Sequence, residues 1–361
     1  MSINRFNEFG IPNDLAMIRN KEHFPGDTIS RITWYKKQDS YVFACTSWDG
    51  TLRVYECMSL NIAPYINQVA SFSFDAPLTS FCWVKEMHFF IVGTADGRVI
   101  FFDAQQKTQK LLNRHNFGIR EVFFDEENEM VISVDCETSI KFTSFTTGES
   151  KVINVQFKIS CVDYKDRFLA LGLSHNKVCV ISLKDINCDP IYANSPSESY
   201  IHSIKFGDSP TECILGTTDG RIAMARIEPV GTYRSKTYDF KSVLIFKGHK
   251  DPPEKDARDA ALFPVNDLIF TKRHGYILGI SCAANRKVAM WSLNNKQKFR
   301  EFTLPGVVTN IDMHPQKDLV LAATGYDWHE GVWGLSKVDY TPGIYIYAYK
   351  DDDFRNFELT I

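Results

Sequence analysis

No stretch of the 361-residue sequence comes near the roughly 18 uninterrupted apolar residues that a membrane-spanning helix requires. The opening residues, MSINRFNEFG, lack the apolar centre of a secretory leader, which predicts an intracellular protein without a membrane role. Charge of one sign is missing as well. The 41 Lys and Arg face 44 Asp and Glu, a net of -3, which excludes wholesale coating of nucleic acid but leaves room for a local basic patch. The nine cysteines are odd in number, scattered and never spaced C-x-x-C, so they read as reduced thiols rather than as a disulfide framework or a zinc site.

Enzyme signatures are absent too. There is no phosphate loop of the G-x-x-x-x-G-K-[ST] type, no G-x-G-x-x-G, no H-E-x-x-H and no G-x-S-x-G. The histidines are dispersed, and Asp351, Asp352 and Asp353 lack the glycine and bidentate glutamate of a calcium loop, so they read as a solvated tail. No catalytic residue, metal site or cofactor is predicted.

What is present is a period. A small or apolar residue, a polar turn and an alternating apolar strand recur as Ser47-Trp48-Asp49-Gly50-Thr51-Leu52-Arg53-Val54 and Thr94-Ala95-Asp96-Gly97-Arg98-Val99-Ile100. The pattern returns around Glu137, His175, Asp219 and Asn285. The markers 49, 96, 137, 175, 219 and 285 are separated by 47, 41, 38, 44 and 66 residues, near the roughly 40 to 45 of a four-stranded propeller blade. A seventh unit without the turn signature follows at Val320 to Ala323 and Ile344 to Tyr347, split by a long loop over 325–342. The prediction is an all-β fold, one seven-bladed β-propeller of WD-repeat type over 1–361. Residues 1–24 form an extension whose segment Asp14 to Ile18 closes the ring as an outer strand, and 228–263 hold an outer strand and a charged insertion. The insertion reads either as a solvated loop or as a partner contact.

The turn carboxylates Asp49, Asp96 and Asp219 occupy one place in successive repeats, which turn geometry explains better than catalysis. Two residues on, Arg98, Lys177, Arg221 and Lys287 stand at equivalent places, a partial rim of positive charge suited to acidic side chains or phosphates. Trp48 and the loop aromatics Tyr326, Trp328 and Trp333 are either packed beneath their loops or offered to a partner.

The runs Pro25 to Ser30, Thr46-Ser47-Trp48-Asp49-Gly50, Asp219-Gly220-Arg221-Ile222-Ala223, Lys247-Gly248-His249-Lys250, Pro264 to Phe270 and Gly325-Tyr326-Asp327-Trp328 resemble one WD-repeat family over nearly the whole chain. That family comprises the mRNA-export nucleoporin propellers and the mitotic-checkpoint propellers that accompany Bub kinases. The resemblance implies a non-catalytic scaffold that binds an acidic-centred GLEBS peptide across its top face. The residues implied there are Trp48, Arg98, His202, Arg221 and Lys250, with His202 and Lys250 standing where the family has arginines and Cys136 where the third blade has an aromatic. A Lys lacks the bidentate fork of Arg, and a His is mostly neutral at pH 7.

The export branch further implies a side groove for single-stranded RNA, onto which Arg221, Phe246, Trp291, Lys296 and Lys298 map. The Tyr326-Asp327-Trp328 loop resembles the export branch and is expected to meet a partner. The expected partner is thus a GLEBS-bearing GLFG-repeat nucleoporin at the nuclear pore, with a cytoplasmic pool, the chain being one propeller in a heteromeric complex. The alternative is a checkpoint adaptor that binds a Bub-type kinase at kinetochores. A propeller enzyme is the remote third reading, since it would need carboxylates or metal ligands converging in the central channel.

Overall fold

Each marked turn joins two strands because its geometry leaves the chain little alternative. At Asp219-Gly220 the glycine adopts φ +74, and a Cβ there would lie 2.3 Å from the His249 carbonyl oxygen, so both the backbone and the space call for glycine. Gly97 repeats the case, with φ +87 and the His115 carbonyl oxygen 2.6 Å from the position of its missing Cβ. His175, Asn176 and Arg286 reach the same left-handed region without glycine in the turns of the fourth and sixth units.

The strands so joined form seven four-stranded antiparallel sheets in a computed structural model that describes residues 15–17, 23–36, 40–58, 65–184, 190–230, 237–251, 260–273, 275–294, 296–334 and 342–348. Blade 1 is Ile29–Trp34, Val42–Ser47, Thr51–Met58 and Tyr65–Ser73; blade 2 is Leu78–Val84, Glu86–Thr94, Arg98–Asp103 and Thr108–Arg114. Blade 3 is Ile119–Asp125, Met130–Asp135, Ser139–Ser144 and Ser150–Asn154; blade 4 is Ile159–Lys165, Phe168–Leu173, Lys177–Ser182 and Ile191–Asn194. Blade 5 is Ile201–Phe206, Glu212–Thr217, Arg221–Val230 and Thr237–Lys247; blade 6 is Val265–Arg273, Tyr276–Ala283, Lys287–Ser292 and Gln297–Thr303. Blade 7 takes Val307–Met313, Leu319–Gly325 and Gly343–Ala348 from one end of the chain and Leu15–Met17 from the other. The fold is a seven-bladed β-propeller.

The closing strand pairs Leu15 with Tyr347, Ala16 with Ile346 and Met17 with Tyr345, as the sequence predicts. The chain divides into two compact units, 1–78 with 280–361, and 79–279, so that blades 7 and 1 lie in the first and blades 3, 4 and 5 in the second. In the first unit, Ile29, Ile32, Trp34, Phe43 and Tyr55 of blade 1 share one core with Leu321, Ile344 and Ile346 of blade 7. In the second, Ile132, Val134, Ile140 and Phe142 of blade 3 pack with Leu169, Leu171 and Ile181 of blade 4, whose other face meets Ile201, Ile204 and Leu215 of blade 5. Middle strands buried on both faces explain the continuous apolar runs such as Leu169–Leu171.

The fourth strand of blade 5 spans Thr237–Lys247 and its partner Arg221–Val230, with Pro229 opposite Tyr238 near the hairpin end. A proline near a strand end removes a donor the ladder can spare. The insertion beyond it is pinched by a two-stranded ribbon, Lys250–Asp251 against Ala261–Leu262. Most of the charged insertion, Cys188 and Asp351 to Asp353 lie outside the described residues. No helix among the described residues is long and apolar enough to cross a membrane.

Candidate functional site

The turn of blade 5 is a small polar device. The Thr217 hydroxyl donates to Asp219 Oδ1 at 2.6 Å and accepts from the Arg221 amide at 3.1 Å, which ties the two sides of the turn together. The Arg221 guanidinium in turn pairs with Asp219 Oδ2 and reaches Ser199 Oγ at 3.5 Å. Burial favours the neutral acid at Asp219, but hydrogen bonds from Thr217 and Ser199 and the Arg221 charge outweigh it, so its carboxyl is held below the ordinary 3.8.

Blade 2 repeats the device. Thr94 donates to Asp96 at 2.5 Å, the Arg98 amide donates to Thr94 Oγ1, and Arg98 Nε lies 2.9 Å from Asp96 Oδ2. In blade 1 Asp49 accepts from the Thr51 amide at 2.9 Å, the Thr51 hydroxyl and the Gly26 amide. These carboxylates are occupied by their own turns, the role their repeated position indicates. The other rim cations are likewise tied within their blades, Lys177 to Asn194 Oδ1 at 2.6 Å and Lys287 to Glu301 at 3.7 Å. Arg221 and Arg98 remain half-buried, each with a guanidinium oriented by a fixed carboxylate.

A second set of residues was not legible from the turns. The first strands of blades 1, 3, 4 and 5 each carry a bulge directly after their first core residue, at Ile29/Arg31, Ile119/Glu121, Ile159/Cys161 and Ile201/Ser203, and that of blade 7 carries one after its second, at Val308/Asn310. The extra residues are Ser30, Arg120, Ser160, His202 and Thr309. A bulge re-aims the side chain it carries and is a recurrent feature beside binding sites. His202 therefore occupies a special position, half-buried in the blade that carries Arg221. Arg120 is its blade-3 equivalent, exposed, with its charge felt at the neighbouring Cys136 thiol. Sequence reasoning missed Arg120. The signal was the recurrent Ile-x-x-Val or Ile-x-x-Ile opening of blades 1, 3, 4 and 5, as in Ile119-Arg120-Glu121-Val122 and Ile201-His202-Ser203-Ile204.

No protein-family model matches the chain. The chain is 21% identical to the mitotic checkpoint protein bub3 of Dictyostelium discoideum over 85% of its own length and 88% of that protein's. It is 21% identical to the mRNA export factor rae-1 of Caenorhabditis elegans over 90% of this chain and 86% of the relative. Protein Rae1 of Drosophila melanogaster is also 21% identical, with 91% of each covered. The chain is a WD-repeat β-propeller similar to both branches. The likeness, running the length of the fold, supports a non-catalytic interaction scaffold.

The remaining sequence-indicated residues of the propeller separate into surface and core. Trp48 is exposed, as is Lys250 on its two-residue ribbon. Lys296 and Lys298 are exposed, and Phe246 is half-buried opposite Ile222. Trp291 is not available as a stacking platform: it is buried, and its indole Nε1 donates to Ser281 Oγ at 2.8 Å across the blade-6 hairpin. Lys298 Nζ sits 5.7 Å from the Trp291 ring centroid and 2.5 Å from Glu301. Tyr326 is likewise a packing residue rather than a contact residue, buried with its hydroxyl on the Gly331 carbonyl, whereas Trp328 is exposed. Among the described residues no group of His, Cys, Asp and Glu could hold a metal ion. The described cysteines are free thiols, and burial pushes Cys45 and Cys57 up to about 12 and Cys161 to about 11.

Proposed function

We propose that this propeller is an adaptor of the mRNA-export type, taking up an acidic-centred GLEBS segment of a nucleoporin on the face that carries its repeated turns, at the nuclear pore. The observation that carries the reading is Arg221, half-buried, pre-oriented by Asp219 and in the same blade as the bulge residue His202. A guanidinium already fixed by one carboxylate loses little side-chain freedom on meeting a second. Arg120 adds a second guanidinium at the bulge position of blade 3. Adhesion is the whole mechanism, and no covalent step is implied.

The equal likeness to a checkpoint bub3 favours a second reading, an adaptor that presents a Bub-type kinase at kinetochores through the same residues. RNA contact, if the export reading holds, rests on Lys296 and Lys298 as phosphate partners rather than on stacking at Trp291.

Affinity capture from native cells at moderate salt, followed by mass spectrometry, separates the readings. Recovery of a GLFG-repeat nucleoporin supports the export role; recovery of a Bub-type kinase moves the same face to chromosome segregation. Recovery of neither contradicts both.

A further inference from the structure

Blades 7 and 1 carry a surface of different character. Thr28 clasps two turns at once: its carbonyl accepts from the Trp48 amide at 3.1 Å, and its hydroxyl accepts from the Tyr326 amide at 2.9 Å. Gly325 makes the approach possible, since a Cβ there would lie 2.6 Å from Thr28 Cγ2. The loop that follows is held from within. Tyr326 packs under it with its ring 5.3 Å from that of Trp328, its hydroxyl donates to the Gly331 carbonyl, and a Cβ on Gly334 would collide with that hydroxyl. Trp328 itself is kept at φ +62, a conformation a bulky side chain rarely adopts.

This internally braced loop presents its largest apolar groups outward. Trp328 is 58% exposed, Val332 70% and Trp333 83%, beside Trp48 at 46% on the adjoining turn. Large rings gain nothing from water, and a loop that buries one aromatic while offering others is built to present them. The charge around them is acidic. Across 26–28, 47–53 and 326–334 stand four carboxylates, Asp27, Asp49, Asp327 and Glu330, against Arg53, which pairs with Asp49, and His329, whose Nδ1 lies 2.5 Å from Asp327 Oδ1. Indole faces rimmed by carboxylates are complementary to cations, which the ring quadrupole and the carboxylates attract together.

We propose that this surface is a second docking site, for a short basic segment of a partner protein bearing Arg or Lys alternating with apolar residues. Its preference in charge is opposite to that of the Arg221 region.

The test uses the full chain and two fluorescein-labelled probes, a twelve-residue peptide of alternating Arg and Leu and its counterpart with Glu for Arg, read by fluorescence anisotropy. The basic probe binds, more weakly as salt rises, and the acidic probe, which the Arg221 region can take up, does not displace it. The double variant Trp333→Ser, Glu330→Lys, at two exposed positions outside the core, binds the basic probe at least roughly ten-fold more weakly. Its affinity for a GLEBS peptide is unchanged, which keeps this proposal separate from the Arg221 reading. Competition of the two probes for one site, or an unchanged affinity of the double variant for the basic probe, overturns the proposal. So does sedimentation showing a dimer that the double variant dissolves, which would assign the surface to a second copy of the chain.

Discussion

At the residue scale the propeller reuses one device, a turn carboxylate kept ionised by its neighbours. Asp49, Asp96, Asp135 and Asp219 are all held below 3.8: burial works against ionisation in each, and hydrogen bonds, with cations at Asp96 and Asp219, prevail. A carboxyl depressed in the folded state contributes stability above its unfolded value and loses it as pH falls through the lower native value. Stability measured by urea melts should thus be flat with respect to these groups above about pH 5 and fall below about pH 4. The variant Asp219→Asn should be less stable at pH 7 and show a shallower acid slope; an unchanged slope would remove Asp219 from this role. Thiol chemistry offers a second check. Cys45, Cys57 and Cys161 are buried and pushed upward, so a thiol reagent at pH 8 should label the half-buried Cys82 and Cys136 first and the core thiols only on unfolding.

At the scale of the element, hairpins and ring closure were legible because their chemistry is local. Asp-Gly turns at 49, 96 and 219 require what glycine supplies, and the apolar strands after them can only be buried middle strands. Gly220→Ala should cost on the order of 1–3 kcal/mol, since it forces a side chain into both a left-handed backbone and the His249 carbonyl. Removal of residues 1–24 should lower the melting temperature and promote aggregation, because Gly343–Ala348 would become an open edge. An unaltered melt would show that three register pairs add nothing to closure. Other features were hidden because they depend on tertiary partners. The bulges that single out Arg120 and His202 arise from the pairing of two strands, not from either strand alone. Trp291, mapped onto a groove by the resemblance, and Tyr326, which the sequence left between packing and partner contact, are both buried, with Ser281 and the Gly331 carbonyl as partners for their polar atoms. The outer strand expected within 228–263 takes its full extent, Thr237–Lys247, from pairing with Arg221–Val230, which neither segment shows alone.

At the scale of the whole molecule, the seven blades provide a repeated frame on which charge is placed by position in the repeat. Little in the sequence distinguishes one blade from another as a fold element, so specificity falls to the few places where equivalent positions differ. Arg221 stands where blade 1 has Thr51 and blade 3 has Ser139; Arg120 and His202 stand where blades 1, 4 and 7 have a hydroxyl residue. An acidic peptide should therefore be drawn towards blades 3 and 5 rather than to blade 4. Charge-neutralising changes at Lys296 and Lys298 should weaken salt-dependent binding of single-stranded RNA, whereas Trp291→Ala should act mainly through stability, by about 3–5 kcal/mol for loss of a buried Trp.

The measurement that bears most directly on the account is calorimetric titration of the full chain and its Arg221→Ala variant with a synthetic GLEBS peptide. The account predicts binding by the wild-type protein and a loss of about 2–5 kcal/mol in the variant, the cost of removing one member of a half-buried charge pair. An unchanged dissociation constant in a folded variant would contradict it.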